Sequence, residues 1–455
     1  MTVDRYRPVG DYAFIGDCHS MALVSREGSI DWCCMPRVDS ASVFGRLLDA
    51  DRGGFCSITV DEDIPVSRRY LDDSLVLETT FRGPSGEARL LDCFTMRQGG
   101  ARQPYRQLLR VVEGVRGWLS FRLHAAIRFD YGEVQPRVKR RGVGGERRLT
   151  ELVLEGLEGY RGIGPVRIGN AAATQVQLDV YGELLDLAWR WHQRGRSPDD
   201  DYWRFLLALV DAAADRWREP DRGLWELRGQ PRHFVHSKVL CWVALDRGLK
   251  LAEECLRKAP TRRWHKTREE IRTAVETDGY DPDRGVFVQA FGSKALDAAL
   301  LLLPSVDFVP YDDPWMLRTA DTIRTELDDG HGLILRYRND DHLAGQEGAF
   351  VTCSFWLAEC LAHQGRIQEA RELFDRVASC GSDLALYPEE YDSQRRQLCG
   401  NYPQGLSHLS HIAAAVALAQ PYGPGSAVAQ HAFGAGQHEG HIEGRQHPLD
   451  QGGQP

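Results

Sequence analysis

Between residues 10 and 130, apolar and polar positions alternate in short runs that end at turn residues. A period of two is typical of antiparallel strands that bury one face. The clearest runs cover residues 21–24, 29–33, 75–81 and 107–112. We interpret residues 83–86 and 113–117 as hairpin connections, because glycine and proline concentrate there. The pattern predicts an N-terminal antiparallel β-sandwich.

From about residue 171, apolar positions recur at i, i+3, i+4 and i+7, which indicates amphipathic helices. We predict nine helices, near 171–193, 202–218, 233–257, 262–276, 293–303, 314–329, 347–364, 366–378 and 404–419. Asn170 is expected to cap the first one. Paired helices in succession favour a toroid, with inner helices apolar on nearly all sides and functional residues on loops at one mouth.

The chain has 455 residues, which is more than one ordinary core accommodates. We predict an N-terminal β-sandwich domain over 1–141 and a helical domain over 142–420. Residues 421–455 are rich in Gly, Gln, His and Pro, so we expect a disordered tail there.

Composition narrows the class of protein. Hydrophobic residues make up 42%, charged residues 27%, and the net charge is −9, as in soluble globular proteins. Without a basic stripe to neutralise phosphates, nucleic acid is not an expected partner. No apolar run approaches the ~20 residues of a membrane helix and no signal-type apolar segment opens the chain, so we expect a cytoplasmic protein that binds no membrane. The eleven cysteines are odd in number and irregularly spaced, which favours reduced thiols.

Two loop segments place carboxylates beside aromatic rings. Trp225 directly precedes Glu226, and Glu389 and Glu390 directly precede Tyr391. Hydrolysis of a glycosidic bond needs a carboxylic acid that protonates the leaving oxygen and a carboxylate that activates water or attacks. The two segments therefore indicate sugar chemistry.

Each segment also has a structural alternative. Taken alone, Trp225 and Glu226 fit a packing tryptophan beside a solvated glutamate, and the acidic pair at 389 and 390 fits a helix start favoured by the helix dipole. His233 and His236, three residues apart near a helix start, suit structural hydrogen bonding as well as sugar contact.

Longer stretches carry a resemblance to a known family. They are residues 11–18, 28–32, 36–44, 159–162, 165–172, 225–229, 232–238, 348–350 and 387–411. Together they resemble glycoside hydrolase family 15, which includes glucoamylases, glucodextranases and trehalases. The resemblance extends from about residue 8 to residue 418.

This resemblance implies a β-sandwich followed by an (α/α)6 toroid and the hydrolysis of α-glucosides such as trehalose, maltose or dextrins with inversion. It makes Glu226 the general acid and Glu389 the general base, and it gives Arg336 contact with sugar hydroxyls. The predicted substrate-binding residues are Trp225, Arg228, Arg336, Glu390 and His236. No cluster of residues in the sequence implies a metal or an organic cofactor, and dependence on phosphate or magnesium, as in some trehalases of the family, stays open.

The predicted roles are physically coherent. Trp225 and a water-poor pocket are expected to desolvate Glu226 and raise its pKa, as a general acid requires. Glu389 has to stay ionised beside Glu390, so we expect Arg336 or Arg228 as a counter-ion. Inverting enzymes leave room for a water molecule, with the two carboxyl groups roughly 6.5–9.5 Å apart.

One block of the family pattern is missing. Near Arg141 the chain passes directly from the sandwich to sequence resembling the stretch before Gly159, without the family's Arg-Asn-Trp-Asp-Tyr-Arg-Tyr-Cys-Trp-Leu-Arg-Asp-like segment that holds the terminal sugar. Nine predicted helices against the twelve of a toroid agree with this gap. Absent helices would expose the apolar flanks of their neighbours.

Three hypotheses follow. The chain is an inverting α-glucosidase with impaired activity, a degenerate glycan-binding or interaction protein, or an enzyme completed by a partner chain. Exposed helix faces would also permit homo-oligomers.

Overall fold

A computed structural model describes residues 5–96, 105–129, 131, 151–170, 172, 175–227, 229–338 and 347–419. The predicted domain boundary near residue 141 and the predicted tail lie outside these residues. Within them, an antiparallel β-rich region precedes a helical region, as predicted.

The β-rich region contains two antiparallel sheets. The first sheet has the order β1-β2-β3-β5-β10 with β4 paired to β3, and the second has the order β6-β7-β8-β9. The strands are β1 Tyr12–Gly16, β2 Met21–Ser25, β3 Ser29–Cys34, β4 Ser42–Phe44, β5 Phe55–Val60, β6 Val66–Tyr70, β7 Leu77–Arg82, β8 Gly86–Phe94, β9 Leu108–Gly117 and β10 Phe121–Ala126.

The two sheets share one hydrophobic core. Ile15 and Ile30 of the first sheet are buried in the same cluster as Leu77 and Phe94 of the second. Alternate residues of β8 are buried, so the period of two in the sequence marks the face that packs.

The hairpin connection predicted at residues 113–117 is wrong. These residues form the second half of β9 and pair with β8. The register shifts between Glu87 and Ala88, which pair with Arg116 and Gly114, so Val115 is an extra residue in β9. The glycines mark a β-bulge here rather than a turn. The other predicted connection, at 83–86, does join β7 to β8.

Short strands and the helices follow. The strands are β11 Leu152–Val153, β12 Arg167–Ile168, β13 Tyr280–Asp281, β14 Val286–Phe287, β15 Ala349–Phe350, β16 Glu390–Asp392 and β17 Gln397–Cys399. The helices are α1 Asp179–Gln193, α2 Asp200–Arg216, α3 Val235–Glu254, α4 Thr261–Asp278, α5 Pro314–Glu326, α6 Val351–His363, α7 Ile367–Ala378 and α8 Gly405–Ala419.

Eight of the nine predicted helices are α-helices, and the one near 293–303 is a 3₁₀ helix, Ala298–Leu302. The predicted cap at Asn170 is wrong, because α1 begins at Asp179. Asn170 Oδ1 instead accepts a hydrogen bond from the Ala172 amide at 2.8 Å in a local turn. The side chain of Asp221 holds the start of α1, accepting from Leu178 N at 3.2 Å.

Helices α3 and α6 lie at the centre of the helical region. Residues 235–249 of α3 are all buried, and α6 is buried at eleven of its thirteen positions. Helix α3 packs against α1, α2 and α4, and α6 packs against α7 and α8. Near-continuous burial is expected of inner helices and explains their weak amphipathic period.

The β-rich region contacts the segment that leads into β16. The Arg68 side chain, fully buried, donates to both carboxylate oxygens of Asp383 at 2.7 and 3.1 Å. Tyr402 donates its hydroxyl proton to the Tyr12 carbonyl at 3.0 Å. These contacts hold the chain before Glu389, through Asp383, and after it, through Tyr402, against the β-rich region.

All eleven cysteines are free thiols. None of the helices in the described part of the chain is both long enough and apolar enough to cross a membrane.

Candidate active site

A cavity of about 190 Å³ lies between the loop after α2 and the loops flanking α6 and α8. It brings together four predicted site residues, Trp225, Glu226, Arg336 and Glu389. The other lining residues are Leu224, Phe350, Thr352, Gln404, Leu406 and Ser407. Two carboxylates, one guanidinium and aromatic rings therefore face one space.

Glu226 ends a tight turn after α2. Its amide donates to the Gly223 carbonyl at 3.2 Å, and its backbone adopts the left-handed region with φ of 52°. For a non-glycine residue this conformation costs of order 1–3 kcal/mol and often marks a functional site. The desolvation predicted for Glu226 is wrong, because its side chain is exposed. Its Oε1 accepts a hydrogen bond from Gln177 Nε2 at 3.1 Å.

Trp225 is anchored at its ring and at its nitrogen. The indole packs edge-on against Phe350, with ring centroids 5.4 Å apart, and lies 5.9 Å from Trp356. Its Nε1 donates to Asp297 Oδ1 at 2.9 Å. The ring thus forms a fixed apolar wall of the cavity, as the sugar-chemistry hypothesis requires.

Glu389 is held by the hairpin that follows it. Its Oε2 accepts hydrogen bonds from both the backbone amide and the side-chain amide of Asn401, each at 2.9 Å. Its own amide donates to the Asn401 carbonyl at 2.9 Å, and its carbonyl accepts from Val351 N at 3.1 Å. These hydrogen bonds fix the position and orientation of the Glu389 carboxylate at the cavity.

Glu390 lies next to the cavity but does not line it. Its Oε2 accepts from Gly348 N at 3.1 Å. Burial raises the pKa of Glu390 to about 7, with further raising by the charges of Glu347 and Glu389. The predicted counter-ion Arg336 acts in the opposite direction on this carboxyl, although its own ion pair is with Glu347.

The predicted substrate-binding residue His236 does not line the cavity. His236 is wrong as a residue facing the sugar: it is 5% exposed in the first turn of α3, away from the cavity lining. Burial lowers the pKa of His236 to about 4, so it is neutral at pH 7. Arg228 lies outside the described residues.

Sequence reasoning missed Gln404, Asn401 and Asp297. Asn401 and Gln404 belong to the 387–411 stretch that carries the family resemblance, so that stretch held the signal. Asp297 lies 72 residues from its partner Trp225, and no local pattern links the two. Across the described residues, no group of three or more His, Cys, Asp or Glu side chains is arranged to hold a metal ion.

Comparison with known proteins assigns the chain to a family. The sequence profile of glycosyl hydrolases family 15 matches residues 134–416. The chain belongs to glycosyl hydrolase family 15. A second profile, the trehalase-like N-terminal domain, matches residues 2–147. The predicted family is confirmed, and with it the prediction of a glycosidase.

Relatives within this family are trehalases. That of Mycolicibacterium smegmatis is 30% identical over 610 aligned positions, covering 90% of this chain and 91% of that protein. The Thermoplasma volcanium trehalase is 39% identical over 264 positions, covering 58% of this chain and 42% of that protein. Because 610 positions exceed the 455 residues of this chain, the first alignment includes residues that have no counterpart here.

Among solved structures, a bacterial glucoamylase complexed with acarbose is similar to 90% of this chain and 85% of its own. The TM-score is 0.49 and the sequence identity is 10%.

Proposed function

We propose that this chain hydrolyses α-glucosides, of the trehalose, maltose or dextrin type, with inversion at the anomeric carbon. Glu226 is the general acid and Glu389 the general base, while Trp225 and Arg336 contact the sugar. The observation that carries the proposal is the single cavity lined by all four side chains.

The reaction divides between the two carboxyl groups. Glu226 gives its proton to the glycosidic oxygen as the bond from the anomeric carbon to that oxygen breaks. Glu389 takes a proton from a water molecule as its oxygen bonds to the anomeric carbon from the opposite face. The exposed Glu226 at the rim meets the leaving group, and Glu389, held by Asn401, orients the water.

We also infer that the helical region is an (α/α)6 toroid without its first helices. The central helices α3 and α6 pack on α1 and α8 as inner helices do on their neighbours. Apolar side chains stay exposed on the two flanking helices, including Leu187 at 63% on α1 and Leu409 at 67% on α8. The longer alignment with the mycobacterial trehalase supports the same gap.

The missing block is expected to weaken catalysis. Orientation of the substrate by binding contacts supplies several kcal/mol of transition-state stabilisation in enzymes. Leu406 lines the cavity on α8, next to the exposed side of that helix, so the described residues leave that side of the sugar site uncovered. We expect activity well below that of a family member with the complete toroid.

The test is glucose release from trehalose, maltose and isomaltose by wild-type protein and by Glu226→Gln and Glu389→Gln. With maltose, NMR at early times identifies the anomer released from the non-reducing end. We expect β-glucose, and we expect either substitution to abolish its formation while the melting temperature stays close to wild type.

Release of α-glucose would contradict inversion. Release that survives both substitutions would contradict the assignment of acid and base. Binding of glucose or maltose without hydrolysis by folded protein would favour the alternative of a degenerate glycan-binding protein.

A further inference from the structure

Asp297 is a buried carboxylate directly behind the cavity wall. It is 5% exposed and precedes the 3₁₀ helix Ala298–Leu302. Trp225 Nε1 donates to both of its oxygens, at 2.9 and 3.1 Å. The Ala299 amide donates to Oδ1 at 2.8 Å, and Gln289 Nε2 donates to Oδ2 at 3.2 Å. Both oxygens are thus engaged by donors from three separate parts of the chain.

The same short segment also holds the other wall of the cavity. Asp297 forms an antiparallel bridge with Tyr337. The next amide, from Ala298, donates to the Arg336 carbonyl at 2.9 Å. Residues 297 and 298 therefore connect the indole of Trp225 to the backbone of Arg336.

We propose that Asp297 is a positioning residue for the hydrolysis, fixing the Trp225 indole and, through it, the orientation of Glu226. This inference rests on the proposed function. Glu226 is exposed and its backbone is in the left-handed region, so the packing that holds this turn comes from Leu224 and Trp225, which lie against the hydrophobic core. The buried carboxylate supplies the anchor one residue before the acid.

Burial of a charge on Asp297 costs free energy, and capping of the 3₁₀ helix alone would not require a charged side chain. An isolated buried carboxylate is strongly unfavourable unless hydrogen bonds compensate. A neutral asparagine could accept the Ala299 amide with its one oxygen and preserve the start of the 3₁₀ helix. Its NH2 group would then replace Oδ2, which accepts from Trp225 Nε1 at 3.1 Å and from Gln289 Nε2 at 3.2 Å, so both donors would face a donor there. Trp225 would keep one of its two acceptor oxygens, whereas the carboxylate serves the helix start, Trp225 and Gln289 at once.

The experiment is a double-mutant cycle with Asp297→Asn and Trp225→Phe, measured as kcat/KM on the substrate hydrolysed fastest. We expect Asp297→Asn to lower kcat/KM about 10- to 100-fold, the effect of a charged hydrogen bond. In the Trp225→Phe background, which lacks the donor, it should lower kcat/KM far less. Asp313→Asn is the matched control, because Asp313 begins α5 by accepting from Trp315 N at 2.8 Å and should leave kcat/KM unchanged.

A second readout does not depend on turnover. The indole N–H resonance of Trp225 is identified in a ¹H–¹⁵N spectrum by its absence from Trp225→Phe. In Asp297→Asn it should move, because its acceptor has changed, whereas Asp313→Asn should leave it in place. The proposal is overturned if Asp297→Asn lowers kcat/KM by the same factor in wild type and in Trp225→Phe. It is also overturned if the Trp225 resonance does not move in Asp297→Asn. If wild-type protein releases no glucose, the proposed function fails, and the resonance alone decides whether Asp297 fixes Trp225.

Discussion

Gly400 lies against the proposed base. Its φ is +69°, and a Cβ atom added there would come within 2.7 Å of Glu389 Oε2 and 3.0 Å of Glu389 Cβ. We expect Gly400→Ala to push the carboxylate away from Asn401 and to lower kcat/KM at least about tenfold, since a misplacement of about 1 Å is costly in catalysis. Steady-state kinetics with melting temperatures measure this.

Gly365→Ala is the matched control for the backbone strain. Gly365 has φ of +77°, and no atom lies within 4 Å of an added Cβ. Both substitutions should lower the unfolding free energy by about 1 kcal/mol through the left-handed backbone. Equal kcat/KM in the two variants would show that the space beside Glu389 does not matter.

Glu390 is expected to make stability depend on pH. The pKa of Glu390 is raised by burial from 4.5 to about 7, so the folded protein binds this proton more tightly than the unfolded chain. Its contribution is fully present below pH 4.5 and is lost as pH rises toward 7. In wild type, the unfolding free energy should therefore fall as pH rises from 4.5 to 7. Glu390→Gln should make this fall smaller, by at most about 3 kcal/mol, as measured by urea denaturation.

Glu369→Gln provides a control of opposite sign. Arg366 and Arg324 lower the pKa of Glu369 to about 2, so its contribution is present above pH 4.5 and is lost as pH falls below that value. This substitution should shift the unfolding free energy by a constant amount between pH 4.5 and 7. If the unfolding free energy of Glu390→Gln changes with pH as steeply as that of wild type, the predicted effect of burial on Glu390 is contradicted.

At the residue scale, the sequence predicted which side chains meet in the cavity better than how they are held. The aromatic and acidic spacing identified Trp225, Glu226 and Glu389. The partners that hold them, Asp297 and Asn401, depend on chain segments brought together by folding. The exposure of Glu226 depends equally on what surrounds its turn, and the neighbouring tryptophan alone does not determine it.

At the scale of elements, length decided what could be predicted. The long helices α2 and α4 were evident from their apolar period, because each repeats it several times. The 3₁₀ helix Ala298–Leu302 consists of five apolar residues, too few to distinguish 3₁₀ from α. Strands β15 to β17, two or three residues long, are too short for alternation to show, although the β16–β17 hairpin directly follows the proposed base Glu389.

The contact between β6 and the loop before β16 is expected to stabilise both elements. Arg68 is fully buried and also donates to the carbonyls of Gly10 and Asp11. Arg68→Ala should lower the unfolding free energy by about 2–3 kcal/mol, because the two carbonyls and Asp383 lose the Arg68 guanidinium, although Asp383 keeps the donor of Arg26 at 3.1 Å. It should also lower kcat/KM, since the loop carrying Glu389 loses support. Denaturant titration and kinetics test both.

The adjacent arginine on the same strand is the control. Arg69 is 57% exposed and pairs with Glu78 across the strand at 2.9 Å. Arg69→Ala should cost less than Arg68→Ala and should leave kcat/KM unchanged, because Arg69 is exposed and the buried Glu78 keeps Arg89 at 3.7 Å. Equal losses of stability and of kcat/KM in the two variants would contradict the prediction that the β-rich region supports the loop.

At the scale of the whole molecule, the exposed apolar faces predict self-association. Leu406, Leu409 and Ile412 follow one another at intervals of three residues on α8, and each is exposed. Leu187 and Trp191 are likewise exposed on α1. Contiguous apolar surface of this kind is typical of interaction sites. Sedimentation velocity should therefore show species larger than a monomer that increase with protein concentration.

Leu409→Lys combined with Ile412→Lys should shift the protein toward the monomer. Leu256→Lys should not, because Leu256 is 91% exposed but lies after the end of α3, outside α8. A monomer at every concentration would contradict the prediction. If association also supplies the missing side of the cavity, specific activity should rise with protein concentration in wild type and stay flat in the double variant. That result would favour an enzyme completed by a second chain, whereas flat, low activity in both would favour an open site that works alone.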